Sequence, residues 1–354
     1  MSNTLNSPGE VHKTDAIVLG FTKSPLLIER SFAPLRQLHQ EGMLRTIHYV
    51  TWDSADIDPF VAPVLAMPDV TVTRVPQPEV RGTAPQKTLT YQTHNLDVAL
   101  SLVPEDDTLV FKSRPDAIIG ADMLRRKING FAGNSAVPAS VFGVAMPKPV
   151  MQNKVWVPWA DSNQPFFYED AFFLGLKRDL RHFVFPFTRS DMDMLAAPMC
   201  EHYYHIVRFA KAFLPTWPLF KGYLQNFRHV TSNMDYRIDM IGHVLNGPYF
   251  LFLLIAHAWI LHSQFHVDCG APGDILFYPN TRNKETDWAN PKAWRQALPY
   301  ENLKGWQSGE KPGLLLANIS RPFGRLMTDR WQETLFTQEV ADFPRPTLMA
   351  ILEH

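Results

Sequence analysis

The sequence predicts an α/β fold built on a mostly parallel central sheet flanked by helices, and three observations carry that prediction. Apolar runs of strand length recur up to Lys112, at Asp15–Phe21 (DAIVLGF), Thr46–Trp52 (TIHYVTW), Val70–Val75 (VTVTRV) and Thr108–Lys112 (TLVFK). Segments of helical spacing separate them. The first run is apolar throughout rather than alternating, as a strand buried on both faces must be. Strand, helix and strand in succession imply parallel pairing.

Each element has its own warrant. Ser31–Glu41 carries Phe32, Leu35 and Leu38 at helical spacing, with Gly42 as a stop. Val70–Val75 is β-branched and leads into the proline-rich loop Pro76–Pro85. Thr88–Leu102 places Leu89, Leu96, Val98, Ala99 and Leu102 on one broad helical face. A second segment begins near Asn153: Lys154–Trp159 (KVWVPW) reads as a strand interrupted by Pro158, and Lys177–Phe183 as a helix. Further helices are expected at Glu201–Phe213, Met240–Leu261, with a break at Gly247-Pro248, and Pro322–Phe336; Phe277–Gly313 reads as irregular.

Size and charge bound the function. At about 150 residues per domain, 354 residues make roughly two domains. The expected division is a disordered tail over 1–14, a ligand-binding core over 15–198, and a helical and loop-rich part over 199–354 packed on it. Lys plus Arg is 34 against 35 Asp plus Glu, which argues against a dedicated nucleic-acid binder, since that needs a basic excess, and leaves room for a local basic pocket. Cys200 and Cys269 have no metal-type spacing, and the N-terminal residues show no signal-peptide pattern, so a cytoplasmic location is expected. The most apolar run, Tyr249–Leu261, is shorter than the ~18–20 residues that span a bilayer. The wider stretch Pro248–Phe265 is the only candidate for peripheral membrane contact.

In open parallel sheets ligands sit where loops leave the carboxyl ends of the strands. Thr22 and Lys23, Asp53, and Lys112, Arg114 and Asp116 all stand at such ends. Neither GxGxxG nor GxxxxGK[ST] occurs there, which removes the dinucleotide fingerprint and the P-loop. Lys112, Arg114 and Asp116 follow period-2 spacing, so in extended chain their side chains share a side. Two cations and an acid in that pattern suit a metal-bridged diphosphate, with Asp116 a hard oxygen ligand for Mg²⁺ or Mn²⁺; the alternative is a surface ion-pair cluster. Glu169 and Asp170 lie among Phe166, Phe167, Phe172 and Phe173. Because burying an unpaired charge is expensive, such acids pair with a cation or serve as a general base toward a hydroxyl. Alternatively they cap a helix running through Phe172 to Leu176. His202 and His205 lack a zinc pattern, no GxSxG elbow occurs, and Trp288, Trp294 and Trp306 either stack on rings or pack late loops.

Four stretches together resemble the WavE lipopolysaccharide-synthesis family, a bacterial group taken to be glycosyltransferases with a GT-A-like, Rossmann-like fold. They are Thr51-Trp52-Asp53; Tyr91-Gln92-Thr93-His94-Asn95; Lys112-Ser113-Arg114-Pro115-Asp116; and Pro165-Phe166 through Asp170 with Gly175-Leu176-Lys177 and Asp179-Leu180. Glu201-His202-Tyr203-Tyr204 adds to the likeness, which covers roughly Asp15 to Phe213. The resemblance implies a nucleotide-sugar donor and a glycan or lipid-linked glycan acceptor. Together with the strand-end positions it makes Thr22, Lys23, Asp53, Gln92, Lys112 and Arg114 the expected donor contacts, and Asp170 or Glu169 the expected acceptor base. Asp116 would correspond to the last acid of the DxD element that holds a divalent metal, Mn²⁺ or Mg²⁺. Arg114 stands where the first acid is expected, which leaves metal dependence open. A nucleotidyltransferase and a non-catalytic glycan- or nucleotide-binding relative are the competing readings.

Overall fold

The computed structural model describes residues 14–80, 84–131, 140–141, 144–145, 149–158, 170–184, 260, 263–268, 270 and 274–277. The expected helices at Glu201–Phe213 and Pro322–Phe336, all of Met240–Leu261 but Ile260, the three late tryptophans, both cysteines and Glu169 lie outside the described residues.

The chain opens with β1 (Thr14–Leu19), α1 (Pro25–Gln40), β2 (Leu44–Trp52), α2 (Asp58–Leu65), β3 (Val70–Val75), α3 (Ala84–Leu102) and β4 (Leu109–Ser113). Helix α1 starts six residues earlier than its apolar spacing suggests. Pro25 at its first turn has φ already set for helix and no N–H to leave unpaired, and the Ser24 hydroxyl accepts the Leu27 amide at 3.4 Å. Beyond β4 come β5 (Ala117–Ile119), α4 (Ala121–Asn129), a two-residue pair β6 (Ser140–Val141) and β7 (Val144–Ala145), β8 (Val155–Val157), β9 (Phe173–Leu176), α5 (Lys177–Leu180), β10 (Phe265–Val267) and β11 (Ile275–Phe277).

Seven strands form the main sheet in the order β10-β8-β9-β4-β1-β2-β3. Strands β1 to β4 are parallel, with Ile17 between His48 and Lys112, and β10 is parallel to β8. Only β9 runs against its neighbours, β4 and β8. The mostly parallel sheet flanked by helices is therefore as the sequence predicts. Ala16, Ile17 and Val18 are fully buried; since successive side chains point to opposite faces, both faces of β1 are covered. Phe32 of α1 meets Tyr49 of β2 edge-on at 5.5 Å, and burial pushes the Tyr49 phenol up to about 12.

A helix through Phe172 to Leu176 does not form. Phe173–Leu176 is a strand instead, with Phe173 opposite Lys112 and Leu174 opposite Phe111 and Trp156. An aromatic, apolar run buried on both sides between two strands satisfies its backbone by laddering and its side chains by packing: Phe172 stacks on Phe111 at 5.8 Å and Phe173 on Phe183 at 4.7 Å. Gly175 permits the close approach to β8, because a Cβ there would stand 2.8 Å from Cγ2 of Val155. Gly175→Ala is expected to destabilise the fold by about 1–3 kcal/mol through overpacking, read as a lower denaturation midpoint.

Residues from the far part of the chain join this architecture. Strand β10 lies at the sheet edge, β11 pairs antiparallel with β5, and the Gly120 amide donates to the Asp274 carbonyl at 2.8 Å. Lys127 pairs with Asp268 and Arg126 with Asp274, tying α4 to the same segment. Beside β8, Lys154 is 5% exposed, and burial pulls its ammonium down to about 8. A base whose folded pKa is depressed penalises the folded state fully below that value, and the penalty fades as pH rises toward the unfolded value. Lys154→Met is thus expected to stabilise the chain below about pH 8, with an advantage that shrinks by up to about 1.4 kcal/mol per pH unit above it; denaturant melts of both proteins across pH 7–11 check this.

Candidate functional site

The strand order places β2 on one side of β1 and β4 on the other, so the chain reverses direction across the sheet at β1 and β4. Connections leaving adjacent strands to opposite sides open a crevice at their carboxyl ends. A pocket lies there. Its lining comes from Leu19, Gly20 and Phe21 after β1, Trp52 at the end of β2, and Thr88, Tyr91, Gln92, Asn95 and Leu96 along α3. Lys112, Arg114, Pro115 and Asp116 from the end of β4 and Phe173 of β9 complete it. Gly20 makes the exit from β1 at φ 94°, a conformation side-chain-bearing residues rarely adopt, while its amide donates to the Val50 carbonyl at 3.0 Å.

One wall is charged. The extended geometry of β4 stops at Ser113, and Arg114–Asp116 forms a turn closed by the Ala117 amide on the Arg114 carbonyl at 3.2 Å. Lys112, Arg114 and Asp116 still converge, because the turn folds the guanidinium back on the acid: Nε and Nη2 of Arg114 donate to the two Asp116 oxygens at 2.9 and 2.7 Å. Nη1 of Arg114 is 3.7 Å from Oδ1 of Asp170. The Lys112 ammonium donates to the Asp170 carbonyl and sits 4.9 Å from the centre of the Phe173 ring. Lys112, Asp116 and Asp170 are buried, so this ion-pair cluster belongs to the cleft and not to an open surface.

The opposite wall is aromatic and amide-lined. Trp52 meets Tyr91 edge-on at 5.3 Å and stacks on His94 at 6.2 Å. Asn95 is 3% exposed and its Oδ1 has no hydrogen-bond partner among the described residues, a costly state for a buried acceptor.

Gln92, Lys112, Arg114 and Asp116 of the sequence-derived candidates therefore share one pocket, with Asp170 in contact with Arg114. Thr22, Lys23 and Asp53 stand beside the pocket, off its lining. The Thr22 hydroxyl accepts the Ser24 amide at 3.4 Å, and the Asp53 amide donates to the Val75 carbonyl at 2.7 Å while Trp52 turns to the cleft. Sequence reasoning did not single out Phe173 as a lining residue. It lies 61 positions beyond Lys112, and only the antiparallel insertion of β9 brings it there. Trp52, Tyr91 and Asn95 were visible as members of motifs, without a role.

Both Asp116 oxygens are taken by a guanidinium, and among the described residues no three His, Cys, Asp or Glu side chains cluster as metal ligands.

No family model matches this chain, and no curated protein matches it. Solved structures to which it is similar include a mannosyltransferase from Pyrobaculum calidifontis in complex with GDP-Man and Mn²⁺. That pair shares 15% identity and a TM-score of 0.34, covering 90% of this chain and 89% of the other. Mouse xyloside xylosyltransferase 1 matches at 11% identity and TM-score 0.32, over 77% of this chain and all (100%) of that one. The 4-diphosphocytidyl-2C-methyl-D-erythritol synthase of Anaerococcus prevotii matches at 12% and 0.30, over 52% and 83%. At such identities and scores these likenesses assign no chemistry to this chain.

Proposed function

We propose that the chain is a glycosyltransferase that moves a sugar from a nucleotide-sugar donor to a hydroxyl of a bacterial surface polysaccharide or lipopolysaccharide acceptor, working at the cytoplasmic side of the inner membrane. The observation that carries this reading is the pocket at the crossover of β1 and β4, with Lys112 and Arg114 on one wall and Trp52, Tyr91 and Gln92 on the other. A nucleotide diphosphate has the matching halves: a flat base and ribose that stack and hydrogen-bond, and a pyrophosphate that needs cations.

Transfer breaks the bond between the anomeric carbon and the donor's diphosphate oxygen, and negative charge grows on that oxygen. Lys112 and Arg114, fixed before the donor arrives by Asp170 and Asp116, stabilise the charge without reorganising. Gln92 orients the donor. The acceptor hydroxyl attacks the anomeric carbon and gives its proton to a carboxylate, for which Asp170, with Glu169 next to it in sequence, is the candidate. The WavE resemblance supports the choice of acceptor.

A thermal-shift screen of UDP-, GDP-, CMP- and dTDP-sugars tests the reading, because a ligand that binds only the folded state raises its apparent stability. One nucleotide class is expected to shift the midpoint, and incubation with that sugar nucleotide and a glycan acceptor is expected to release its nucleotide, a nucleoside diphosphate or, from a CMP-sugar, CMP. Release of pyrophosphate from a nucleoside triphosphate would favour a nucleotidyltransferase. Folded protein that shifts with no nucleotide would sink the donor reading and leave a binding module.

A further inference from the structure

Two buried carboxylates share one guanidinium in the wall of the cleft. Arg114 grips Asp116 with two parallel N–H bonds at 2.9 and 2.7 Å and stands 3.7 Å from Asp170. The Asp116 and Asp170 side chains are 6% and 1% exposed, against 31% for Arg114. The acids are therefore the more deeply buried members, and the cation is the most exposed of the three. Lys112 supplies a second positive charge, anchored on the Asp170 carbonyl and on the Phe173 ring.

We propose that Arg114 is a built-in cation that takes the place of a divalent ion, so that this chain holds its nucleoside diphosphate without metal. A divalent ion at Asp116 would stand beside the Lys112 and Arg114 cations of the same pocket, and both oppose its approach. A metal at Asp116 would compete with a bidentate pair, whose planar fork matches a carboxylate more closely than a point charge does. Finally, Asp116 holds the guanidinium through Nε and Nη2 while Arg114 lines the pocket, so the acid orients the cation that a phosphate there would meet. The identity of the ligand rests on the donor reading above; the assignment of Arg114 as the resident cation rests on the cluster itself.

The test begins without nucleotide. Mn²⁺ is titrated into the full chain and its free concentration followed by electron paramagnetic resonance, for wild type, Arg114→Asp and Arg114→Gln. Wild type is expected to leave Mn²⁺ free at concentrations where Arg114→Asp, which restores an acid-x-acid pattern ending at Asp116, binds it at least about tenfold more tightly. Arg114→Gln keeps much of the side chain's length without its charge. It covers the case in which the added acid prevents folding, and is expected to gain Mn²⁺ affinity in the same direction. The second measurement is nucleoside diphosphate affinity in EDTA and in Mn²⁺. Wild type is expected to change by less than about twofold between them, while Arg114→Gln loses about tenfold in EDTA. Wild type that binds Mn²⁺ as tightly as the variants, or whose nucleotide affinity rises tenfold with Mn²⁺, overturns the proposal. Failure of every protein to bind nucleotide, with the Mn²⁺ difference intact, overturns the donor reading and leaves Arg114 as the resident cation.

Discussion

Asp170→Asn is expected to lower turnover of the nucleotide sugar by about 10²–10⁴-fold, the usual contribution of a general base, with donor affinity changed far less. The asparagine keeps the shape and the backbone carbonyl that receives Lys112, and removes only the proton-accepting charge 3.7 Å from Arg114. The decisive readout is the rate–pH profile. Loss of a base abolishes the acidic limb, whereas a merely structural role scales the whole profile down and leaves its shape. Unchanged turnover would remove Asp170 from the reaction and direct attention to Glu169.

The second large effect is expected at Lys112. Lys112→Met keeps an unbranched chain over the Phe173 ring and deletes the ammonium. Two losses follow from one atom. The buried Asp170 carbonyl forfeits a charged donor, which costs about 1.5–3 kcal/mol of stability. The diphosphate loses one of its two cations, so donor KM is expected to rise at least about tenfold. A denaturant melt and a donor titration on the same preparation separate the two. A variant that is destabilised but binds donor normally would make Lys112 a structural pin for β9.

These predictions fall on residues that the sequence exposed to different degrees. Lys112, Arg114 and Asp116 were legible because a strand pattern ended beside them, and strand ends are where open sheets keep ligands. Their relation was not. Period-2 spacing puts side chains on one side only in extended chain, while the turn at Arg114–Asp116 brings the guanidinium onto the acid. Strand β9 was hidden because Phe172–Leu176 suits a buried helix and a buried strand equally by composition. Strands β10 and β11 have three residues each, too few to show any period.

What the sequence determined by itself is the part governed by local periodicity: β1 to β4, the helices α1 and α3 between them, and hence a mostly parallel sheet with candidate chemistry at its strand ends. Only the tertiary structure decided the part governed by contacts between distant segments. It set β9 against β4, brought Asp170 and Phe173 to Lys112, turned Trp52 rather than Asp53 to the cleft, and seated Arg114 between two acids. The physical reason is that a hydrophobic pattern states which face of an element is buried, while the partner on that face is chosen by the whole packed chain.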